Sequence, residues 1–116
     1  MLTIEALQKA GVNTTEGLTR CMNNQQFYFR LITKVLNSPD FASLKTAIET
    51  NDLDTAFTLA HTLKGSTGNL ALTPLYQPLT KITELLRNRT QTDYTPYLTA
   101  IMDAHQALLQ IIENRE

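Results

Sequence analysis

Apolar residues recur at helical spacing along almost the whole chain, and this periodicity limits the possible fold more than any other feature. Leu75, Leu79, Ile82 and Leu86, for example, follow one another at intervals of three or four residues. That spacing places their side chains on one face of an α-helix. Sustained alternation of apolar and polar residues, which indicates a half-buried strand, is found nowhere in the sequence. The pattern predicts an all-α protein.

Start and stop signals divide the sequence into short helices near the N-terminus and longer helices after them. Gly11 is predicted to end the first helix. The predicted boundaries are helices over about 3–10, 14–21 and 24–36, caps at Ser38-Pro39, Asn51 and Thr73-Pro74, and a last helix that begins between Thr92 and Pro96. From residue 38 onward, four amphipathic helices joined by short connections favour an antiparallel bundle.

The size and charge of the chain exclude several classes of protein. Its 116 residues suffice for one core, so residues 1–116 are predicted to form a single domain. The formal net charge of −1 gives no support for binding nucleic acid or an anionic membrane. No apolar run approaches the roughly 20 residues of a membrane helix, and the N-terminus lacks a signal-peptide pattern. Cys21 is the lone cysteine, which fits a reducing compartment, so we expect a cytoplasmic protein.

His61 is the most informative polar residue, and it lies in the helix predicted over residues 51–69. Lys64, Gly65 and Gly68 follow it by three, four and seven positions, so all four share one helix face. The apolar residues of this helix fall on a different face, and His61 is therefore predicted to point to solvent. An imidazole nitrogen is a nucleophile, and the Lys64 ammonium suits a phosphoryl oxygen. The combination suggests phosphoryl transfer through a phosphohistidine; a lysine that is merely solvated is the alternative for Lys64.

Gly65 and Gly68 are unusual residues for the interior of a helix. Each costs about 1 kcal/mol relative to alanine, so two of them on the face of His61 need a reason. Glycine reduces the helix surface to backbone, which lets another protein approach closely. We interpret both glycines as clearance for a docking partner, because they lie away from the apolar face. Tight packing against another helix of the bundle is the alternative.

The segment His61-Thr62-Leu63-Lys64-Gly65 resembles the signature of histidine-containing phosphotransfer (Hpt) domains. The similarity extends to residues 11–18, to residues 27–32 and to the lead-in over residues 51–60. One position departs from the family pattern, because Ala71 stands where a glycine is often found, ten residues after the histidine. Alanine is the smallest possible change at that position.

The resemblance implies an up-and-down four-helix bundle with additional short N-terminal helices. It implies that His61 accepts a phosphoryl group, through Nε2, from an aspartate of a response-regulator receiver domain or a hybrid sensor kinase, and passes it to another receiver. Such a phosphocarrier is not an enzyme by itself and has no cofactor of its own, and the receiver holds the Mg²⁺. Thr83 and Arg87, on the next helix, become candidates for contact with the phosphate. Arg87 is equally well explained by the dipole at the end of its helix.

Other candidate residues have structural interpretations. His105 shares the spacing of Ile101 and Leu108, so we expect a core or boundary histidine with a hydrogen-bond partner. Phe57 falls between two faces and belongs either to the core or to an apolar rim around His61. Two histidines and one cysteine on different helices offer no metal-ligand spacing, and no glycine-rich phosphate loop follows a strand. The sequence therefore predicts neither a metal site nor an ATP site.

Two functions remain open at this point. The first is a phosphorelay intermediate that carries phosphate on His61. The second is a helical adaptor that binds a kinase or receiver domain without being phosphorylated. The presence of His61 together with Lys64 favours the first. We expect a monomer, and the position of Met1 close to the family-like opening favours a free-standing unit.

Overall fold

Seven helices make up most of the computed structural model, which describes residues 2–113. They are α1 (Ile4–Lys9), α2 (Thr14–Arg20), α3 (Gln25–Leu36), α4 (Asp40–Glu49), α5 (Leu53–Asn69), α6 (Thr73–Arg87) and α7 (Thr95–Glu113). Within the described residues there is no β-strand, so the all-α prediction is confirmed. In the same part of the chain, no helix combines the length and apolar character needed to cross a bilayer.

Helices α4 to α7 form the bundle, with α5 at its centre. α5 packs against both α4 and α6, and α6 packs against α7. The connections over residues 50–52 and 70–72 are so short that each helix runs back along the one before it. The bundle closes between α4 and α7, where the rings of Phe41 and His105 stack with centroids 3.9 Å apart. This is the up-and-down arrangement that the resemblance implied.

His105 has the structural role expected from its spacing. Its side chain is half-buried, and Nε2 lies 2.7 Å from the carbonyl oxygen of Leu36. Because a carbonyl oxygen can only accept, Nε2 carries a hydrogen and donates it. The imidazole therefore joins α7 to the end of α3.

Two of the predicted helix starts differ in detail. Asp52 caps α5 by accepting a hydrogen bond from the backbone N–H of Thr55. Asn51, the predicted cap, has a φ of 59° and lies in the turn that ends α4, outside the extended conformation that a cap requires. Thr73 is the first residue of α6 rather than its cap, and its hydroxyl donates to the Ala71 carbonyl.

Two other signals lie where they were predicted. Gly11 follows α1 with a φ of 95°, in the left-handed region, and its N–H donates to the Gln8 carbonyl. The Ser38 hydroxyl accepts a hydrogen bond from the N–H of Asp40, where α4 begins. Pro39 precedes the first residue of that helix instead of being it.

The N-terminal helices brace the C-terminal end of α5. The hydroxyl of Tyr28, a buried residue of α3, donates to the Leu70 carbonyl at 2.8 Å. Burial raises the pKa of Tyr28 to about 12, so the phenol keeps its proton near neutral pH. Gly17 of α2 leaves room for this ring, because a Cβ there would collide with the Tyr28 hydroxyl. At the end of α2, Arg20 donates to the Gly68 carbonyl at 2.9 Å. α2 therefore lies beside the helix that carries the candidate histidine.

Replacement of Gly17 by alanine is expected to lower the free energy of unfolding by about 1–3 kcal/mol, because the added methyl group overpacks the Tyr28 contact. Gly65→Ala is the matched control. No atom lies within 4 Å of a Cβ built there, so this variant should gain up to about 1 kcal/mol of helix propensity. Urea unfolding followed by circular dichroism measures both. A Gly17→Ala protein as stable as the wild type would contradict the packing of Tyr28 over Gly17.

Candidate functional site

One face of α5 points to solvent and carries His61. Asp54, Phe57, His61, Gly65 and Gly68 follow one another by three or four residues along this face, and we call them the histidine stripe. His61 and Gly65 are exposed. The other side of the helix is buried in the core through Ala56, Ala60, Leu63 and Thr67. The solvent-facing orientation predicted for His61 is therefore present in the structure.

A surface trough extends from His61 along the C-terminal half of the histidine stripe. It has a volume of about 490 Å³ and is lined by residues of α2, α5 and the first turn of α6. At Gly65, nothing lies within 4 Å of the position that a Cβ would take. The bare backbone at Gly65 therefore leaves open space directly beside His61.

The space beside Gly68 is filled by Tyr76 of α6. A Cβ at Gly68 would lie 2.8 Å from Cε1 of the Tyr76 ring. Close packing between helices, the alternative interpretation, explains this glycine, and the expectation of open space at Gly68 was wrong. Helical spacing gives the direction of a side chain, but it does not reveal which neighbour another helix brings there. Gly68 still lines the trough, and Tyr76, which is 37% exposed, forms part of its wall.

Two cationic side chains line the trough, and they differ in how they are paired. Lys64 is half-buried one turn beyond His61. Within residues 2–113, no carboxylate forms an ion pair with its ammonium. Arg20 is paired with Glu16 and bonded to the Gly68 carbonyl. The Lys64 ammonium is therefore available to an anion, whereas Arg20 is engaged with the protein itself.

Sequence reasoning missed Arg20 and Tyr76 as parts of this surface. The four-residue spacing of Glu16 and Arg20 is typical of an ordinary pair on an exposed helix. Tyr76 is one aromatic residue among the apolar positions of α6. Only the packing of α2 and α6 around the end of α5 brings these residues to the trough, and no local signal could have identified them.

At the N-terminal half of the histidine stripe, Phe57 lies beneath two guanidinium groups. Its ring centroid is 5.8 Å from that of His61, with the two planes tilted by 42°. The guanidinium carbons of Arg87 and Arg89 lie 5.2 and 5.3 Å from the same Phe57 centroid, within the range of a cation–π contact. Phe57 is half-buried. Phe57 combines the two roles that its spacing left open, because it packs against the core and also lies beside His61.

Arg87 and Thr83, the two candidates on α6, have different surroundings. Arg87 is exposed, and its ion pair with Glu84 is long, at 3.5 Å, so little holds the guanidinium in place. Thr83 is fully buried, and its hydroxyl donates to the Leu79 carbonyl at 2.6 Å. Thr83 belongs to the core face of α6 and cannot reach a phosphoryl group on the surface, so its candidacy was wrong. The guanidinium of Arg87 lies over the ring of Phe57, whose centroid is 5.8 Å from that of His61.

Neither metal ligands nor a reactive thiol accompany these groups in the described part of the chain. Residues 2–113 contain no cluster of three or more histidine, cysteine, aspartate or glutamate side chains that could hold a metal ion. Cys21 is buried, and burial raises the pKa of its thiol, which disfavours the reactive thiolate. The chemical groups at the site are therefore the imidazole of His61 and the cations around it.

The four bundle helices, including α5 with the exposed His61, lie within the part of the chain that matches a known protein family. The family model described as "Hpt domain" matches residues 37–113, from the turn before α4 to the end of α7, which is more than half of the chain. The chain belongs to the Hpt domain family. Hpt domains are phosphocarrier modules of two-component phosphorelays, and they interact with receiver domains and kinases.

The remaining comparisons add no further relatives. The segments over residues 11–18 and 27–32, which we likened to Hpt domains, lie outside the matched residues. No curated protein and no solved structure matches the chain.

The two histidines of this Hpt domain are expected to differ in reactivity toward diethyl pyrocarbonate. His61 is exposed, whereas Nε2 of His105 is bonded to a carbonyl and its ring is stacked on Phe41. At neutral pH, His61 should therefore be modified several-fold faster, which peptide mass spectrometry can follow over time. The His61→Gln variant identifies the fast-reacting site. Equal rates at the two histidines would contradict the open surroundings of His61.

Proposed function

We propose that this Hpt domain is a phosphorelay intermediate in which His61 accepts a phosphoryl group from the aspartate of a receiver domain and passes it to another receiver. The observation that carries the proposal is the exposed imidazole of His61 beside the open backbone of Gly65. An aspartyl phosphate belongs to a second folded protein. Its acceptor must therefore be reachable by a whole domain, a requirement that a histidine within a closed pocket would not meet.

The proposed transfer is a displacement at phosphorus. The unprotonated ring nitrogen of His61 attacks with its lone pair, and a nitrogen–phosphorus bond forms. The bond between phosphorus and the aspartate oxygen breaks, and the carboxylate leaves with that electron pair. The other ring nitrogen keeps its hydrogen. The reverse displacement, by the aspartate of a second receiver, returns the imidazole to its starting state.

The charges around His61 suit the group that would arrive there. A phosphoryl group carries about two negative charges near neutral pH. In this proposal the Lys64 ammonium, which has no ion-pair partner within residues 2–113, contacts its oxygens from one side, and the weakly held Arg87 guanidinium approaches from the other. The receiver supplies Mg²⁺, which neutralises the remaining charge during transfer. Hpt domains are carriers without a catalytic domain of their own, and this division of roles agrees with that.

The trough provides the place where the receiver would dock. It extends about 10 Å along α5 from His61 to Gly68, which is close to the diameter of one helix. We propose that one element of the receiver lies in this trough while its aspartate meets His61. We further propose that the domain acts as a monomer in the cytoplasm, where the lone Cys21 stays reduced.

A transfer assay tests the proposed phosphoacceptor. Wild-type protein is incubated with a phosphorylated receiver domain and Mg²⁺, and the label it acquires is expected to be acid-labile and base-stable, as a phosphohistidine is. His61→Gln should acquire none, because the amide lacks the nucleophilic nitrogen, and His105→Gln serves as the matched control that keeps the label. Equal label on wild type and His61→Gln would refute the proposal. A His61→Gln protein that still bound the receiver and still supported signalling would favour the adaptor function instead.

A second experiment tests the docking surface. Gly65→Leu should fold, because nothing lies within 4 Å of a Cβ at this position. The leucine side chain would project into the space beside His61 and keep the receiver at a distance, so transfer should fall by about tenfold or more, the equivalent of at least 1.4 kcal/mol. Gly65→Ala, with a much smaller side chain, is the control and should transfer at a rate closer to that of the wild type. Normal transfer by Gly65→Leu would show that the receiver docks elsewhere.

A further inference from the structure

The side chain of Arg89, in the turn after α6, is fixed by several contacts although it is 41% exposed. Its Nε donates to Oδ1 of Asp54 at 2.9 Å, and Nη2 forms an ion pair with the same oxygen at 2.7 Å. Nη1 donates to the carbonyl of Leu86 and, at 3.3 Å, to that of Arg87. The same group lies over the ring of Phe57. Arg89 therefore ties the end of α6 to the first turn of α5.

The backbone of Arg89 adopts a conformation that favours glycine. Its φ is 49°, in the left-handed region where a Cβ is strained. Its N–H donates to the Leu86 carbonyl, and the N–H of Thr90 donates to that of Leu85, which is the usual pattern at the end of a helix. A turn that only had to terminate α6 would be more easily formed with glycine. Glycine can therefore replace Arg89 without straining the backbone of this turn.

The charged partner of Arg89 is Asp54. Its side chain is 87% exposed on the histidine stripe, about 10 Å along the helix axis from His61. An unpaired carboxylate there would repel an arriving phosphoryl group. It would also attract Arg87, because the ion pair of Arg87 with Glu84 is long, at 3.5 Å. The guanidinium of Arg87 already lies over the ring of Phe57, as does that of Arg89. Pairing of Arg87 with Asp54 would draw the guanidinium away from His61.

We propose that Arg89 is a positioning residue for phosphoryl transfer: by neutralising Asp54, it keeps Arg87 directed toward the phosphoryl group on His61. This inference rests on the proposed function. Arg89 does not itself contact the phosphoryl group, because its guanidinium is held against Asp54, about 10 Å along α5 from His61, and against the carbonyls at the end of α6. Its effect is exerted through the two charged side chains that it separates.

Arg89→Gly and the double variant Asp54→Asn/Arg89→Gly distinguish this role from that of a simple helix terminator. Glycine suits the backbone at position 89, so Arg89→Gly should fold and melt close to the wild-type temperature. Arg30→Gln, at an exposed position on α3, is the control for the loss of one positive charge. Each protein is phosphorylated in two ways: chemically, with potassium phosphoramidate, and by a phosphorylated receiver with Mg²⁺. The lifetime of the phosphohistidine, kcat and KM are measured.

We expect Arg89→Gly to shorten the phosphohistidine lifetime and to lower kcat by about three- to fivefold, with KM little changed, which is the size of one partly exposed charge interaction. Asp54→Asn/Arg89→Gly should recover the wild-type values, because no carboxylate is left to capture Arg87. Arg30→Gln should match the wild type. Wild-type behaviour of Arg89→Gly would overturn the proposal, and so would a double variant as impaired as the single one.

The two arms of the experiment separate this proposal from the function on which it rests. A wild-type protein that is labelled by phosphoramidate but takes no phosphate from the receiver would refute the phosphorelay function. The lifetimes of the chemically phosphorylated variants would still decide whether Arg89 acts through Asp54.

Discussion

The burial of one narrow face of α5 determines the orientation of the groups that this helix contributes to the site. Ala56 and Ala60 are fully buried, and their small side chains let the neighbouring helices approach closely. Thr67 returns its hydroxyl to the Leu63 carbonyl at 2.8 Å, so this polar residue is also accommodated in the core. If α5 turned about its axis far enough to bury His61, it would expose Leu63, at a cost of about 1.5–3 kcal/mol for that side chain alone. His61 therefore stays exposed because the opposite face of α5 is held in the core.

The histidine stripe has different surroundings on the two sides of His61. Toward the N-terminus of α5, Phe57 contacts two guanidinium groups: that of Arg89 is paired with Asp54, and that of Arg87 has only a long ion pair with Glu84. Toward the C-terminus, the bare backbone of Gly65 opens a trough whose walls come from α2 and α6. The first half suits a phosphoryl group, and the second suits the protein that delivers it. In the proposed function, the nitrogen of His61 must be accessible both to the phosphoryl group and to the receiver that delivers it, and the two halves of the histidine stripe meet these two requirements.

The sequence predicted most of the fold because its signals are local. Helical spacing and caps depend on residues a few positions apart, so the seven helices and the exposure of His61 followed from them. The errors concern contacts between helices. Gly68 was expected to be open and is packed under Tyr76. Thr83, which was a candidate for phosphate contact by resemblance alone, is buried in the core. The sequence did not point to Arg89, because neither its left-handed backbone nor its pairing with a residue 35 positions away has a local signature.

The nitrogen that carries the phosphoryl group can be identified by phosphorus NMR of protein with ¹⁵N-labelled histidine, after incubation with a phosphorylated receiver domain and Mg²⁺. We expect one phosphorus resonance coupled to a ring nitrogen of His61, while the ring resonances of His105 stay unchanged. A phosphorus resonance coupled to His105 would contradict this expectation. So would a spectrum without nitrogen coupling in which the receiver loses its phosphate no faster than it does alone.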